Sequence, residues 1–592
     1  MDLERLKNKI ASVCDYSEDF SVEAYSCDAL EVHRSGKSVK IGYSSISDYC
    51  RGISLAIQSF REGKELFSVR QEPVFKSTGV MLDMSYFGLL SVTGVKKYID
   101  YMAAAGLNML MLYTEDTYEV KKYPQMGYLR GKYTQEELRE IDIYAAEMGV
   151  ELIGCIQTFG HLGEVVKWAD FSDIAENDHL LLPGEERTYE YIEECIKTIA
   201  QNIRSRRIHI GMDETFGLCE GYSPYCRKHG KQDPLTVYTA HVVRVHQICE
   251  KYDLEPMMWS DCFFRYSMRE TGYGLQYSAT EPIAPEILAQ VPKNMGMVYW
   301  QYGSADKEEY SGIIKAHRVF GGETIMASAC WNWDGQLPNL KKAMAVQCAA
   351  LDASKECGLQ TVMTTLWQVG LPSDYFFSLH AVMLLAQYRY GDDTSLEAVG
   401  KLLHNCTGME MAALEAMNVY HTDHYYDGER YFICNTLINT IGNTKDNPEE
   451  RFAQGAATLR QLTSKRWNDH YTLATLILEV ASIKAGIYNR LQHAYKTNNR
   501  DYLEKLVNQI LPELIHKLKE TLSCRKKLWF QTQKAFGFNG IIRHYGTAIA
   551  DAEYTKSRIE DYLNGTYSTI EELEEPVMPY AKASPEVDYT KI

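Results

Sequence analysis

One pattern constrains this chain above all others. From Gly79 to Leu366, short apolar runs alternate with amphipathic helical stretches: Gly79–Met84, Asn108–Tyr113, Val150–Ile156, Arg207–Gly211, Glu255–Trp259, Gly296–Trp300, Thr324–Ala329 and Gln360–Leu366. Strands buried on both faces read as continuous apolar runs, and strands separated by helices pair in parallel. Eight such units predict a closed (β/α)8 barrel, the TIM barrel, whose functional residues stand just after the carboxyl ends of the strands. Helix signals fill the gaps. Thr134-Gln-Glu-Glu137 is a capping box that opens a helix carrying Leu138, Ile141, Ala145 and Met148 on one side, and Ile192, Ile196, Ile199 and Ile203 repeat at helical spacing.

The flanks follow other rules. Residues 1–75 read as a small α/β domain, with strand-like runs at Ala29–His33 and Val39–Tyr43 around Ser35-Gly36-Lys37 and a helix from Ile46 to Glu62. After Gly391 strand signals stop, and long helices are expected, notably Tyr471–Thr497 and Asp501–Trp529. The expected division is therefore a small α/β domain over 1–75, the barrel over 76–392 and an α-helical domain over 393–592.

Charge and thiols narrow the partners. A net charge of −17 and a pI near 5.5 argue against nucleic acid or an anionic membrane, both of which demand a basic face. Residues 1–20 lack the apolar run of a signal peptide, and the apolar stretch Leu473–Tyr488 is interrupted by Glu479 and Lys484, so no membrane span is expected. Fifteen cysteines without a secretion signal predict reduced thiols and a cytoplasmic location. Cys219 and Cys226 have no second pair at zinc spacing, so neither a metal nor a cofactor is expected.

The strand ends carry the chemistry. The fourth run leads into Ile208-His-Ile-Gly-Met-Asp-Glu214, which delivers two adjacent carboxylates to the barrel mouth. Neighbours on an extended backbone point in different directions, so Asp213 and Glu214 can serve a substrate in two ways. Other strand ends supply rings: Trp259 with Asp261, Tyr299-Trp300-Gln301-Tyr302, Trp331-Asn-Trp333-Asp334 and Trp367. Together they suit a pocket walled by aromatics, as a small oligosaccharide or glycoside requires. The second run ends in Tyr113-Thr-Glu-Asp116 and the third in Gln157-Thr-Phe-Gly-His161, where His161 is placed to bond a carboxylate and set its pKa.

At these residues the chain resembles glycoside hydrolase family 20, the β-N-acetylhexosaminidases, and in particular its three-domain bacterial cytoplasmic members. The resemblance rests on Val80-Met-Leu-Asp-Met-Ser85, Leu112-Tyr-Thr-Glu-Asp116, Gln157-Thr-Phe-Gly-His161, His209-Ile-Gly-Met-Asp-Glu214, Met258-Trp-Ser-Asp261 and Lys534-Ala-Phe-Gly-Phe538. It implies a retaining exo-glycosidase whose nucleophile is the substrate's own 2-acetamido oxygen. On that reading Glu214 is the general acid and Asp213 balances charge on the acetamido N–H. Tyr299, with Tyr302 in reserve, holds the acetamido oxygen, Trp259, Trp331 and Trp367 pack round the sugar, and His161 supports the acid.

Three departures from the family pattern are visible. Thr78 stands where the family has an arginine for the O3 and O4 hydroxyls. Gln301 replaces an acid, and Val369 falls where another acid is usual, leaving Asp374 as a shifted candidate. They imply an altered preference among 2-acetamido sugars. Two other readings stay open: a barrel glycosidase of conventional two-carboxylate chemistry, with Glu115 or Asp116 as nucleophile, and a non-catalytic sugar-binding descendant. The helical domain is left with two roles, walling the leaving-group side or forming a homodimer.

Overall fold

A computed structural model describes residues 2–86, 88–269, 276–371, 373–391, 393–421, 427–438 and 448–575. The chain forms two compact units, one of Met1–Cys330, Lys342–Trp367 and Ser378–Thr407, the other of Trp331–Lys341, Gln368–Phe377 and Gly408–Ile592.

The first unit opens with a four-stranded sheet, β1 (Ser21–Ser26), β2 (Leu30–Ser35), β3 (Ser38–Tyr43) and β4 (Leu66–Gln71), in the order β1-β3-β2-β4. Helix Ile46–Arg61 is held at its start by a reciprocal cap between Ser45 and Asp48. Eight parallel strands then close the barrel: β5 (Ser77–Asp83), β6 (Met109–Thr114), β7 (Glu151–Ile156), β8 (Arg207–His209), β9 (Glu255–Trp259), β10 (Gly296–Trp300), β11 (Thr324–Ala329) and β12 (Thr361–Leu366). All eight match the apolar runs. In the helical layer, Thr134 caps helix Gln135–Glu147 as its sequence predicts: its hydroxyl accepts from Glu137 N at 3.1 Å, and Glu137 accepts from Thr134 N at 2.9 Å.

The boundary expected at 392 lies outside the described residues, but helix Leu396–Thr407, expected with the helical domain, belongs to the first unit. It packs on helices Leu379–Tyr390, Val92–Ala105 and Ile46–Arg61, and Asn405 Nδ2 donates to Ser54 O at 2.8 Å. An amphipathic stripe announces a helix without naming its partner.

In the second unit, helix Pro448–Gln461 packs on Asn468–Ala485, which packs on Leu511–Thr532, which in turn packs on Phe538–Leu563. The expected helix Tyr471–Thr497 is interrupted at Gly486. The expected Asp501–Trp529 contains a π-helical stretch, Leu506–Ile510, just before Pro512, which has no N–H to donate. Asn468–Lys496 is long and apolar enough to cross a membrane by composition, and 56% of its most apolar window is buried inside the protein.

Candidate active site

The site is built where β8 ends. Beyond His209 the backbone leaves the sheet, and Gly211, Met212 and Glu214 all take positive φ, at 74°, 81° and 48°. Non-glycine residues in this region carry strain of about 1–3 kcal/mol each and persist only where their surroundings fix them. Here the surroundings do. Met212 N donates to Gln157 Oε1 at 3.3 Å, Tyr238 OH donates to Met212 O at 2.9 Å, and Glu214 N donates to Asp261 Oδ2 at 3.2 Å. A Cβ at Gly211 would lie 1.9 Å from Gln157 Oε1, so only glycine lets the chain pass this close.

The turn presents Asp213 and Glu214 to one imidazole. His161 Nε2 lies 3.2 Å from Asp213 Oδ2 and 3.5 Å from Glu214 Oε2, while Nδ1 is 4.0 Å from Glu115 Oε1. Burial pulls the His161 pKa down, but Asp213 first, then Glu214 and Glu115, outweigh it and leave the pKa well above its ordinary value. The imidazolium in turn holds Asp213 below the ordinary range against the opposite pull of burial, helped by a 2.8 Å bond from Gln157 Nε2. Two nearby carboxyls go the other way. Burial pushes Glu115 up to about 8, and burial with the Asp213 charge pushes Asp261 up to about 7. Asp261 is steadied by Arg265 Nε at 3.2 Å, and Arg265 Nη2 stands 3.7 Å from Glu214 Oε1. Acids whose environments drive their pKa values apart mark a site for proton transfer beside a fixed charge.

Rings line the same end of the barrel. Gln157 Nε2 also donates to Tyr113 OH at 2.7 Å, Tyr113 meets Trp367 edge-on at 4.9 Å, and Trp367 lies 6.2 Å from Trp259. Tyr302 is hydrogen-bonded with Thr365 and Trp367 and feels the charges of Asp213 and Glu214.

Of the residues expected here, Asp213, Glu214, His161, Trp259 and Trp367 are thus brought together. Tyr299 is not. It is fully buried against Tyr277, Tyr310 and His317 on the helical side of β10, and the reserve residue Tyr302 stands nearer the acids. Tyr299 lies within β10, whereas Tyr302 stands two residues past its end, on the loop that leaves the strand. Thr78 lies at the foot of β5, about 16 Å along the strand from Asp83, where its hydroxyl accepts from Arg389 Nη1 at 3.3 Å. Gln301 folds back on its own loop, accepting from Tyr302 N and donating to Glu309 at 3.0 Å, and lines a cavity of about 430 Å³ with Tyr277 and Glu309. Trp331 and Asp374 belong to the second unit, Trp331 stacked on Trp333 at 4.8 Å and Asp374 accepting from Phe376 N with His470 at 3.7 Å.

Tyr113, Gln157, Asp261 and Arg265 were not singled out from the sequence as site residues, and Glu115 entered only as a nucleophile for the conventional two-carboxylate reading. Four of them stand at or just past a strand end, which was the available signal, whereas Arg265 sits one helical turn beyond Asp261. Among the described residues, no group of three or more histidine, cysteine or acidic side chains is arranged to hold a metal ion.

A parallel barrel with two adjacent acids on a strained turn at its carboxyl end has the architecture of a barrel enzyme, whose site stands at that end. The comparisons specify which. The model of the glycosyl hydrolase family 20 catalytic domain matches residues 75–312, and that of the glycoside hydrolase 20C C-terminal domain matches residues 429–591. The chain belongs to glycoside hydrolase family 20. A β-hexosaminidase from Porphyromonas gingivalis is 26% identical over 227 residues, 33% of this chain and 29% of that protein. One from Vibrio furnissii is 30% identical over 197 residues, 27% of this chain and 32% of that protein. The chain thus matches about a third of the length of these relatives. Among solved structures, the GH20 exo-β-N-acetylglucosaminidase from Vibrio harveyi in complex with N-acetylglucosamine aligns with a TM-score of 0.53 at 17% identity, covering 71% of this chain and 73% of that one. At that identity the likeness speaks for the fold.

Proposed function

We propose that this protein is a retaining exo-β-N-acetylhexosaminidase that removes terminal 2-acetamido-2-deoxy sugars with the substrate's acetamido oxygen as nucleophile. The observation that carries the reading is the convergence of Asp213 and Glu214 on His161, whose pKa they raise well above its ordinary value. Asp213, kept ionised, receives the acetamido N–H and offsets the positive charge that grows as the carbonyl oxygen attacks the anomeric carbon. Glu214 gives its proton to the leaving oxygen, then takes one from the water that opens the oxazolinium-like intermediate. The second step restores the proton that the first gave up, and no enzyme carboxylate forms a bond to sugar. On this reading Tyr302, hydrogen-bonded with Trp367, takes the acetamido oxygen in place of Tyr299, and Trp259 packs beside Trp367.

The sugar preference is altered. Thr78 is spent on Arg389 and Gln301 on its own loop, so the contacts that an arginine and an acid would make to the ring hydroxyls are missing. Unpaired buried hydroxyls cost about 1–3 kcal/mol each. A sulfated or epimeric 2-acetamido sugar is therefore preferred over plain N-acetylglucosamine. Two experiments test these statements. A thiazoline mimic of the bicyclic intermediate inhibits tightly; an absence of inhibition transfers the nucleophile to Glu115 or Asp116. A panel of nitrophenyl 2-acetamido glycosides ranks the sugars, and fast turnover of the plain N-acetylglucosaminide removes the specificity claim.

A further inference from the structure

Three loops at the barrel mouth each carry an aromatic, two exposed and one half-buried, that the chemistry above leaves unused. Tyr86 follows β5 and is 51% exposed, Tyr128 follows β6 and is 56% exposed, and Trp168, half-buried, follows β7. Single exposed rings are ordinary on a protein surface. These are tied together. Arg130 donates through Nε to Asp116 at 2.9 Å and through Nη2 to the carbonyl of Ser85, beside Tyr86, and its Nη1 lies 3.7 Å from Glu164, four residues before Trp168. One guanidinium therefore braces all three loops. Tyr128 is fixed again through Gly127 N, which donates to Asp116 Oδ2 at 3.1 Å, and it meets Trp168 edge-on at 5.8 Å. Lys167 lies 5.3 Å from the centre of the Trp168 ring.

The braced rings are continuous with the acid cluster. Glu115 and Asp116 are neighbours in the chain, and Glu115 faces the His161 that touches Asp213 and Glu214. Ring faces flanked by lysine, glutamate and arginine suit a ligand with apolar C–H faces and hydroxyl edges, which is the chemistry of a pyranose chain. We propose that Tyr86, Tyr128 and Trp168 form a platform for the sugar units on the leaving-group side of the cleaved bond, so that the enzyme favours oligosaccharides over simple glycosides. This rests on the glycosidase reading given above.

The test compares kcat/KM for a β-linked trisaccharide of 2-acetamido sugars with that for the nitrophenyl glycoside of the same terminal sugar. In the Tyr128→Ala/Trp168→Ala variant the trisaccharide-to-monosaccharide ratio falls about tenfold, the worth of one well-placed aromatic contact, and Trp168→Phe restores most of it. An unchanged ratio overturns the platform. A separate measurement protects it from failure of the functional reading: calorimetric titration of the trisaccharide into Glu214→Gln protein. Weaker binding once Tyr128 and Trp168 are also removed supports the platform whether or not the wild type turns over. Equal binding, or binding to neither protein, overturns it.

Discussion

The two ends of the barrel treat charge in opposite ways. At the foot, Glu151 at the start of β7 faces Arg207 at the start of β8, with Nε 3.2 Å from its carboxylate, and Ser205 adds a third donor. Burial pushes the Glu151 pKa up, and Arg207 more than reverses it. Arg389 at the same end spends its Nη1 on the carbonyls of Phe75 and Lys76 at 2.6 and 2.9 Å. There the anion is matched by a cation, and the second cation by carbonyls. At the mouth, Asp213, Glu214, Glu115 and Asp261 meet His161 and Arg265, with Arg130 acting on Glu115 from its bond to Asp116; two of the four acids have raised pKa values, and the backbone beneath them is left-handed. A fold optimised only for stability would neutralise the mouth as it does the foot. The excess of acid and the strain mark where stability is surrendered for chemistry.

The largest effect that would break this contrast is on turnover. On the proposed mechanism Glu214→Gln keeps the shape of the mouth and removes the proton donor, so kcat for an unactivated β-linked disaccharide falls roughly a thousandfold. With a nitrophenyl leaving group the loss is smaller, because that oxygen departs without protonation. On the same mechanism Asp213→Asn lowers both rates alike, since charge on the acetamido group would develop whatever the leaving group. Equal sensitivity of the two substrates to Glu214→Gln removes it from the role of acid.

Stability against pH sharpens the comparison next. Glu115 and Asp261 have folded pKa values raised to about 8 and about 7, above the ordinary carboxylate range. Their contribution is fully present below the unfolded pKa, near 4, and is lost as pH rises through 7 to 8. His161 declines in the same direction, its raised pKa contributing below its ordinary 6.5 and fading as pH climbs through the folded value. Glu151, lowered, contributes above pH 4.5 and weakens only on acidification. The wild type therefore loses on the order of 2–4 kcal/mol between pH 5 and 8.5 from the mouth, and Glu115→Gln loses visibly less. Parallel curves for the two proteins in urea titrations would contradict the raised Glu115 pKa.

The strained turn offers a third test. Gly211→Ala places a methyl group into Gln157 at a φ of 74°, and costs about 2 kcal/mol of stability together with most of the activity, because Gln157 also bonds Asp213. Gly36 has a similar φ of 58° with nothing within 4 Å of a Cβ, so Gly36→Ala costs only the conformational share and leaves turnover intact. Comparable activity in both alanine variants would separate the turn from the chemistry.

Much of this was legible in the residues. Parallel strands buried on both faces are apolar throughout, which is why the barrel runs could be read nearly to the residue. The same property hid the orientation of β10: Val298-Tyr-Trp-Gln-Tyr302 is aromatic on both faces, and no alternation told Tyr299 from Tyr302. The read end of β8 overran, since Gly211 continues an apolar run in composition while its backbone has already turned away. Asp213 and Glu214 stood out because they interrupt a strand-like pattern. Gln157 and Arg265 matter through distances across the barrel, which no local pattern carries. Helix Leu396–Thr407 was legible as a helix, but its docking on Ile46–Arg61 depends on tertiary contacts such as Asn405 with Ser54.

The smallest effect belongs to the foot. Arg207 and Glu151 are part-exposed, with side chains 18% and 38% accessible, so solvent screens the pair and its coupling in a double-mutant cycle of Arg207→Gln and Glu151→Gln is about 1 kcal/mol or less. Ser205 retains a partner in either single variant through the backbone N–H of Arg207, to which its hydroxyl is bonded at 3.0 Å, so neither change leaves a buried group unpaired. The kcat of each variant stays within twofold of wild type, because β7 and β8 are anchored by their ladders above the substituted residues and the mouth geometry is set by Gln157, His161 and Asp261. A foot variant that shifted the pH profile of turnover would mean that charge at one end of the barrel is felt at the other, and the separation of a balanced end from a reactive one would have to be abandoned.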